Sequence, residues 1–116
     1  DHPGVPNAQL VKENTRIAQI YNNRSVAEQN SLVLAWDLFM MDDYEELRAC
    51  LCPTSKDLAR FRQLVVNCVM ATDIVDKELK LLRNGRWDKA FQHRHEESHH
   101  DAVNRRATIV IEHLIQ

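Results

Sequence analysis

Glycine is almost missing from this chain of 116 residues, with two, and proline is scarce, with three. That scarcity argues against an architecture of many short strands, whose tight hairpins draw on glycine at positive φ and whose turns favour proline. Sustained apolar/polar alternation is equally thin, so helices joined by short turns are expected. Cysteine appears three times, as Cys50, Cys52 and Cys68. This is an odd number without the spacing of a secreted disulfide scaffold. Cys50-Leu51-Cys52 with no second pair is a poor zinc site, and Cys68, in an apolar stretch, reads as a small core residue. A reducing, cytoplasmic setting is therefore expected. A surplus of either charge is absent too: 15 Lys and Arg against 17 Asp and Glu leave −2. Such a balance gives no electrostatic footprint for nucleic acid or for an anionic membrane surface. No run approaches the roughly 18 apolar residues of a membrane span, and the first residues do not form a signal peptide. No Met opens the chain, which starts Asp1-His2-Pro3-Gly4-Val5 and closes Glu112-His113-Leu114-Ile115-Gln116. Residues 1–116 thus read as an internal piece of one domain, cut from something longer.

What is present is a series of helical patterns. With 44% apolar and 28% charged residues the composition is that of an ordinary globular protein, and its length allows a modest core. Pro6 can open a short helix over Asn7 to Glu13, and a second spans Thr15 to Tyr21. Ser25 with Glu28 three residues on has capping-box spacing. The helix that follows, Val26 to about Met41, carries Leu32, Ala35, Trp36, Phe39 and Met40 on one stripe. Asp42, Asp43, Glu45 and Glu46 open a further short helix that ends before Pro53, and Thr54 is the next cap. Leu58, Phe61, Val65, Cys68 and Thr72 then recur at three and four residues, and Leu64, Val66, Val69 and Met70 widen the stripe until an almost wholly buried central helix is expected. After Asp76 the pattern Leu79, Leu82, Trp87, Phe91 suggests a weaker helix interrupted near Asn84-Gly85. Residues 92–102 form a polar, His-rich connection, and the last helix resumes with Val103, Ala107, Val110, Ile111 and Leu114. The fold class expected is all-α.

Four stretches, in order, carry a more specific signal. They are Asp1-His2-Pro3-Gly4-Val5-Pro6-Asn7, Tyr21-Asn22-Asn23-Arg24-Ser25-Val26-Ala27-Glu28-Gln29, Val69-Met70-Ala71-Thr72-Asp73-Ile74, and Arg106 through Gln116. The first resembles the second half of the His-Asp-x-Asp-His-Pro-Gly-x-x-Asn motif of the class I 3′,5′-cyclic nucleotide phosphodiesterases, metal-dependent all-helical hydrolases. The second resembles their Tyr-Asn-Asp-x-Ser-Val-Leu-Glu-Asn box. The third is similar to the apolar helix ending in Ala-Thr-Asp-Met, and the fourth to the helix that runs into Ala-Ser-Asp in lower-eukaryotic members. Any one alone would be weak; four in the right order cover nearly the whole chain. Gln29, Asn30 and Ser31 stand where many members carry two histidines after Glu-Asn, and Ile74 replaces the usual Met. The wording of residues 27–31 resembles a protist or algal branch.

This resemblance implies hydrolysis of cAMP or cGMP, or both, to the 5′-monophosphate, with zinc and magnesium as the metals. Two such ions make a water nucleophilic and offset charge on the phosphoryl oxygens. It also implies that the direct metal ligands and the general-acid histidine lie outside residues 1–116, so that no catalytic or directly ligating residue is expected here and the segment alone should be inactive. What it places inside are groups around the metals. Glu28 matches the glutamate that hydrogen-bonds metal-bound waters, Thr72 and Asp73 match residues bordering the same waters, and His2 matches a histidine supporting the pocket. Such outer groups orient ligands and tune their basicity. Without the resemblance, Glu28 is a capping acid, Thr72 and Asp73 are a helix end, and His2 is a loop residue.

His95-Glu96-Glu97-Ser98-His99 spells the pattern of a zinc protease helix, two histidines four apart with a glutamate base. Its neighbours Arg94, His100 and Asp101 are polar where such a helix is buried, which argues against protease chemistry. On a helix His95 and His99 could chelate zinc or nickel adventitiously. An alternative of a different class is a non-catalytic helical module that forms a homodimer through Leu58, Phe61, Val65 and Val69.

Overall fold

A computed structural model describes residues 3–92 and 94–115. Among the described residues the regular structure is entirely helical, as expected. It comprises α1 (Asn7–Lys12), α2 (Arg16–Ile20), α3 (Val26–Phe39), α4 (Glu45–Leu51), α5 (Ser55–Ala71), α6 (Lys77–Phe91) and α7 (His99–Leu114), with one 3-10 turn at Asp42–Tyr44 leading into α4. No helix among the described residues is long and apolar enough to cross a membrane. The chain forms two compact units, Asp1–Met70 and Ala71–Gln116.

In the first unit the short helices α1 and α2 would not persist alone, since helices under about 12 residues are marginal in water. They are held by Leu10, Ala18, Val26 and Ala27, a buried cluster joined by Val5, Val11, Ile17 and Tyr21. Thr15 links the two: its Oγ accepts from the Ala18 amide at 3.3 Å and donates to the Leu10 carbonyl at 3.2 Å. Further along, Trp36 and Phe39 of α3 meet Phe61 of α5, with ring centroids 6.4 and 5.5 Å away, and the Arg62 guanidinium lies 5.6 Å from the Trp36 ring. Arg48 of α4 donates to the carbonyls of Phe39 and Met41, each at 2.6 Å, closing the C-terminal end of α3. Thr54 caps α5 as expected, accepting from the Asp57 amide at 3.1 Å. The almost complete burial expected for α5 does not occur. Residues 64–70 are half-buried and only Ala71 is fully so, because the aromatic pair of α3 covers a single stripe of it.

The second unit is built on α6 and α7. Asp76 caps α6, its carboxylate accepting from Glu78 and Leu79 amides at 2.9 and 3.0 Å. The expected break at Asn84-Gly85 is absent. Helix α6 runs through both residues to Phe91, since Gly85 keeps an ordinary helical backbone instead of the positive φ of a helix end. Arg86 and Trp87 of α6 meet Glu112 and His113, near the end of α7, whereas Phe91 at the end of α6 meets Arg106, nearer its start; the helices are therefore antiparallel. The polar connection is shorter than expected. It ends at Ser98, whose Oγ accepts from the Asp101 amide at 3.1 Å, so residues 99–102 belong to the first turn of α7.

Candidate functional site

Between α2 and α3 the backbone enters the left-handed region three times within four residues, at Asn22 (φ 53°), Asn23 (φ 59°) and Ser25 (φ 38°). Asparagine tolerates that region and serine does so at a cost of order 1 kcal/mol. The amide of Asn23 bonds to the Ala18 carbonyl at 2.8 Å and that of Arg24 to the Tyr21 carbonyl at 3.1 Å, which winds the turn tightly. Burial of Ser25, Val26 and Ala27 then fixes it.

This geometry overturns the expected capping box. An N-cap side chain reaches the first-turn amides from an extended backbone, and Ser25, being left-handed, makes no side-chain cap. The cap comes from Asn7 instead. Its Oδ1 accepts from the Ala27 amide at 2.9 Å, while its Nδ2 donates to Glu28 Oε2 at 2.8 Å. A backbone N–H can only donate, so the atom facing Ala27 must be the amide oxygen. That leaves the nitrogen for the carboxylate and settles the orientation of the amide. Glu28, half-buried, is therefore held from the first motif rather than turned back on its own helix. Sequence reasoning placed Asn7 within a motif and gave it no role. Its partners stand 20 and 21 residues away, beyond any local spacing rule.

In the second unit Thr72 is exposed and Asp73 is 6% exposed. The Asp73 carboxylate accepts from the amides of Val75 and Asp76 at 3.1 and 3.2 Å, an Asx turn that redirects the chain after α5. The Asp73 carbonyl accepts from the buried Arg83 guanidinium at 3.3 Å. Two further charged pairs here had no signal of their own in the sequence. Arg86 donates to Glu112 at 2.9 Å, and Glu112 is buried at 1% exposure. Arg105 grips Glu97 through two nitrogens and donates to the carbonyls of Lys89 and Ala90 at the end of α6. That hydrogen bonding holds the Glu97 carboxyl below its usual range, against the opposing effect of burial.

His2 lies outside the described residues. His95 sits in the turn ahead of Ser98, whereas His99 is the first residue of α7. The two do not share a helix face, and the geometry that would have made them adventitious chelators is not formed. Among the described residues no three His, Cys, Asp or Glu side chains gather where they could hold a metal ion. These residues thus form no ligand set of their own, while the fixed Glu28 carboxylate can accept hydrogen bonds from water.

The family described as 3′5′-cyclic nucleotide phosphodiesterase matches residues 1–115. Among individual proteins, the chain is 38% identical over 82 residues to the probable 3′,5′-cyclic-AMP phosphodiesterase pde-4 of Caenorhabditis elegans, covering 71% of this chain and 12% of that protein. It is 38% identical over 74 residues to the cGMP-inhibited 3′,5′-cyclic phosphodiesterase 3A of Homo sapiens, covering 64% and 6%. To the 3′,5′-cyclic-AMP phosphodiesterase 4C of Mus musculus it is 33% identical over 82 residues, covering 71% and 11%. The matched region thus amounts to no more than 12% of the length of these relatives.

Proposed function

Because this chain belongs to the 3′5′-cyclic nucleotide phosphodiesterase family across residues 1–115, we propose that it forms part of a catalytic domain that hydrolyses cAMP or cGMP, or both, to the 5′-monophosphate in cyclic nucleotide signalling. The observation that carries the reading is the bridge from Asn7 to Glu28, which ties the first motif to the second at 2.8 Å. A module that only packed against a partner would have no use for a carboxylate fixed in this way.

In this proposal the metals, zinc and magnesium, would be held by ligands outside residues 1–116 and, when bound, would supply Lewis acidity toward water and the phosphoryl oxygens. The residues of this segment stand around that chemistry rather than in it. Glu28 offers a carboxylate whose remaining lone pairs can accept hydrogen bonds from water, and the proposal takes Thr72, Asp73 and His2 as counterparts of residues around the family's metal-bound waters because their motifs resemble that family's. Asp73 also has a framing role, since its carboxylate shapes the turn that follows Thr72. Because the resemblance puts the metal ligands and the general acid outside residues 1–116, the segment alone is expected to be inactive. The cytoplasmic location is part of the proposal and rests on the sparse, unpatterned cysteines.

The alternative of a helical homodimerisation module is weakened by the fate of its stripe. Leu58, Phe61, Val65 and Val69 are half-buried within the first unit, and Phe61 is taken up by Trp36 and Phe39. The test is to express the complete protein that carries this segment, unaltered and as Glu28→Gln, and to follow release of 5′-AMP and 5′-GMP from the two cyclic nucleotides. Hydrolysis of at least one by the unaltered protein is expected, with a loss of about 10- to 100-fold in the variant. Absence of hydrolysis of both would overturn the activity, and full turnover by Glu28→Gln would overturn the role of Glu28.

A further inference from the structure

We infer that Asn7 is a positioning residue for Glu28: one amide sets both where α3 begins and where the Glu28 carboxylate points. This rests on the reading of Glu28 given above and deepens it. The argument starts from a deficit. Helix α3 opens from a left-handed Ser25 that makes no side-chain cap, yet Val26 and Ala27 at its start are buried, where an unmet amide costs about 1–3 kcal/mol. Asn7 meets that need from 20 residues away, through Oδ1 to the Ala27 amide at 2.9 Å. The choice of asparagine, and not the equally good capping aspartate, is explained by what the other end of the amide faces. Nδ2 donates to Glu28 Oε2 at 2.8 Å, a place where a second carboxylate would repel the first.

The stem that carries Asn7 is itself fixed. Asn7 is the first residue of α1, Pro6 precedes it with φ −61° and ψ 149°, and the Gln9 amide bonds back to the Pro6 carbonyl at 2.9 Å. Leu10, one turn on, is buried against Val26 and Ala27. The helix that bears Asn7 and the helix that bears Glu28 therefore share one apolar core. The amide has little freedom to follow a wandering carboxylate; the carboxylate is brought to it.

The two ends of the amide can be separated by substitution. Asn7→Asp keeps an acceptor for the Ala27 amide and removes the donor to Glu28. Adding Glu28→Gln restores a pair of reversed polarity, in which the new side-chain amide on α3 donates to the new carboxylate on α1. In the complete protein, Asn7→Asp is expected to lower the thermal midpoint and to reduce kcat about 10- to 100-fold, with KM for the cyclic nucleotide little changed. Asn7→Asp with Glu28→Gln is expected to recover the midpoint and the hydrogen-exchange protection of the Ala27 amide, while kcat stays low for want of the carboxylate on α3. A midpoint lost in Asn7→Asp and not recovered in the double variant would overturn the coupling. An Asn7→Asp protein with unaltered kcat would reduce Asn7 to a cap and overturn the positioning role. If Glu28→Gln alone turns over normally, it is the reading of Glu28 that falls, and recovery of the midpoint still reports on Asn7.

Discussion

Removing the Arg86 side chain should expose how much the second unit depends on one buried carboxylate. Arg86 Nη2 and Glu112 Oε1 are 2.9 Å apart, with the Arg86 side chain 42% exposed and that of Glu112 1% exposed. Hydrogen bonds to charged groups contribute about 1.5–3 kcal/mol. Once the arginine is gone, water has little access to the glutamate at 1% exposure, so the loss falls on the buried side. Arg86→Ala is accordingly expected to destabilise by about 2 kcal/mol. With a typical urea dependence that moves the unfolding midpoint by about 1 M. Arg86→Leu with Glu112→Leu should come back close to the unaltered stability, because replacing both partners by apolar groups removes the buried charge with its need for a partner. The chain has two tryptophans, and Trp87 lies 4.7 Å from the His113 ring between the same two helices. In a Trp36→Phe background its fluorescence reports on this unit. A shift below about 0.5 kcal/mol for Arg86→Ala, the range of an ordinary surface change, would refute the reasoning. So would a double variant as unstable as the single one.

Gly85 lies inside α6 with nothing within 4 Å of where a Cβ would stand. Gly85→Ala should therefore stabilise by about 0.4–1 kcal/mol, and a destabilised variant in the same urea assay would contradict the uninterrupted helix. The Glu97–Arg105 pair gives a dependence on acid. Because hydrogen bonding from Arg105 lowers the folded-state pKa of Glu97, its contribution is present above the ordinary glutamate value, about 4.3. It is lost as pH falls through the lowered one. Glu97→Gln should flatten the acid limb of stability measured from pH 6 to 3, and superposable curves would show that the pair does not matter.

Much of the fold was legible because it is local. The Leu32, Trp36 and Phe39 part of the α3 stripe, the Leu58 to Cys68 part of the α5 stripe, the Thr54 cap, and the stop before Pro53 each depend on residues within a turn or two of one another. Ala35, Met40 and Thr72, expected on those stripes, are exposed. The misreadings were of two physical kinds. Asn84-Gly85 reads as a break because that pair favours a turn or a helix end, but pairs along α6, Arg86 with Glu112 and Trp87 with His113, hold that stretch helical from across the hairpin. In the polar stretch the zinc-binding pattern drew attention to His95 and His99, while Ser98 and Asp101, which share it, carried the structural signal. Serine with an acid three residues on is a capping spacing, and it set the start of α7 at His99. The two readings use different residues of one stretch, and a helix that begins at His99 leaves His95 off it.

The site shows why the rest was out of reach. Ser25 and Glu28 satisfy the spacing rule for a capping box, yet the rule presumes an extended backbone at its first residue, and backbone conformation is not written in a spacing. Here the preceding residues decide it. Asn22 and Asn23, both content in the left-handed region, wind the turn so that Ser25 arrives left-handed as well, and its hydroxyl loses the first-turn amides. The need for a cap does not vanish with it; it passes to whatever side chain the tertiary fold brings near. Asn7 is that side chain, and because its second polar atom falls on Glu28, a local failure of capping becomes the means by which a carboxylate is fixed. A sequence reading that scores Glu28 as a capping acid and one that scores it as a site residue thus look at the same need, one helix turn, met from opposite ends of the unit.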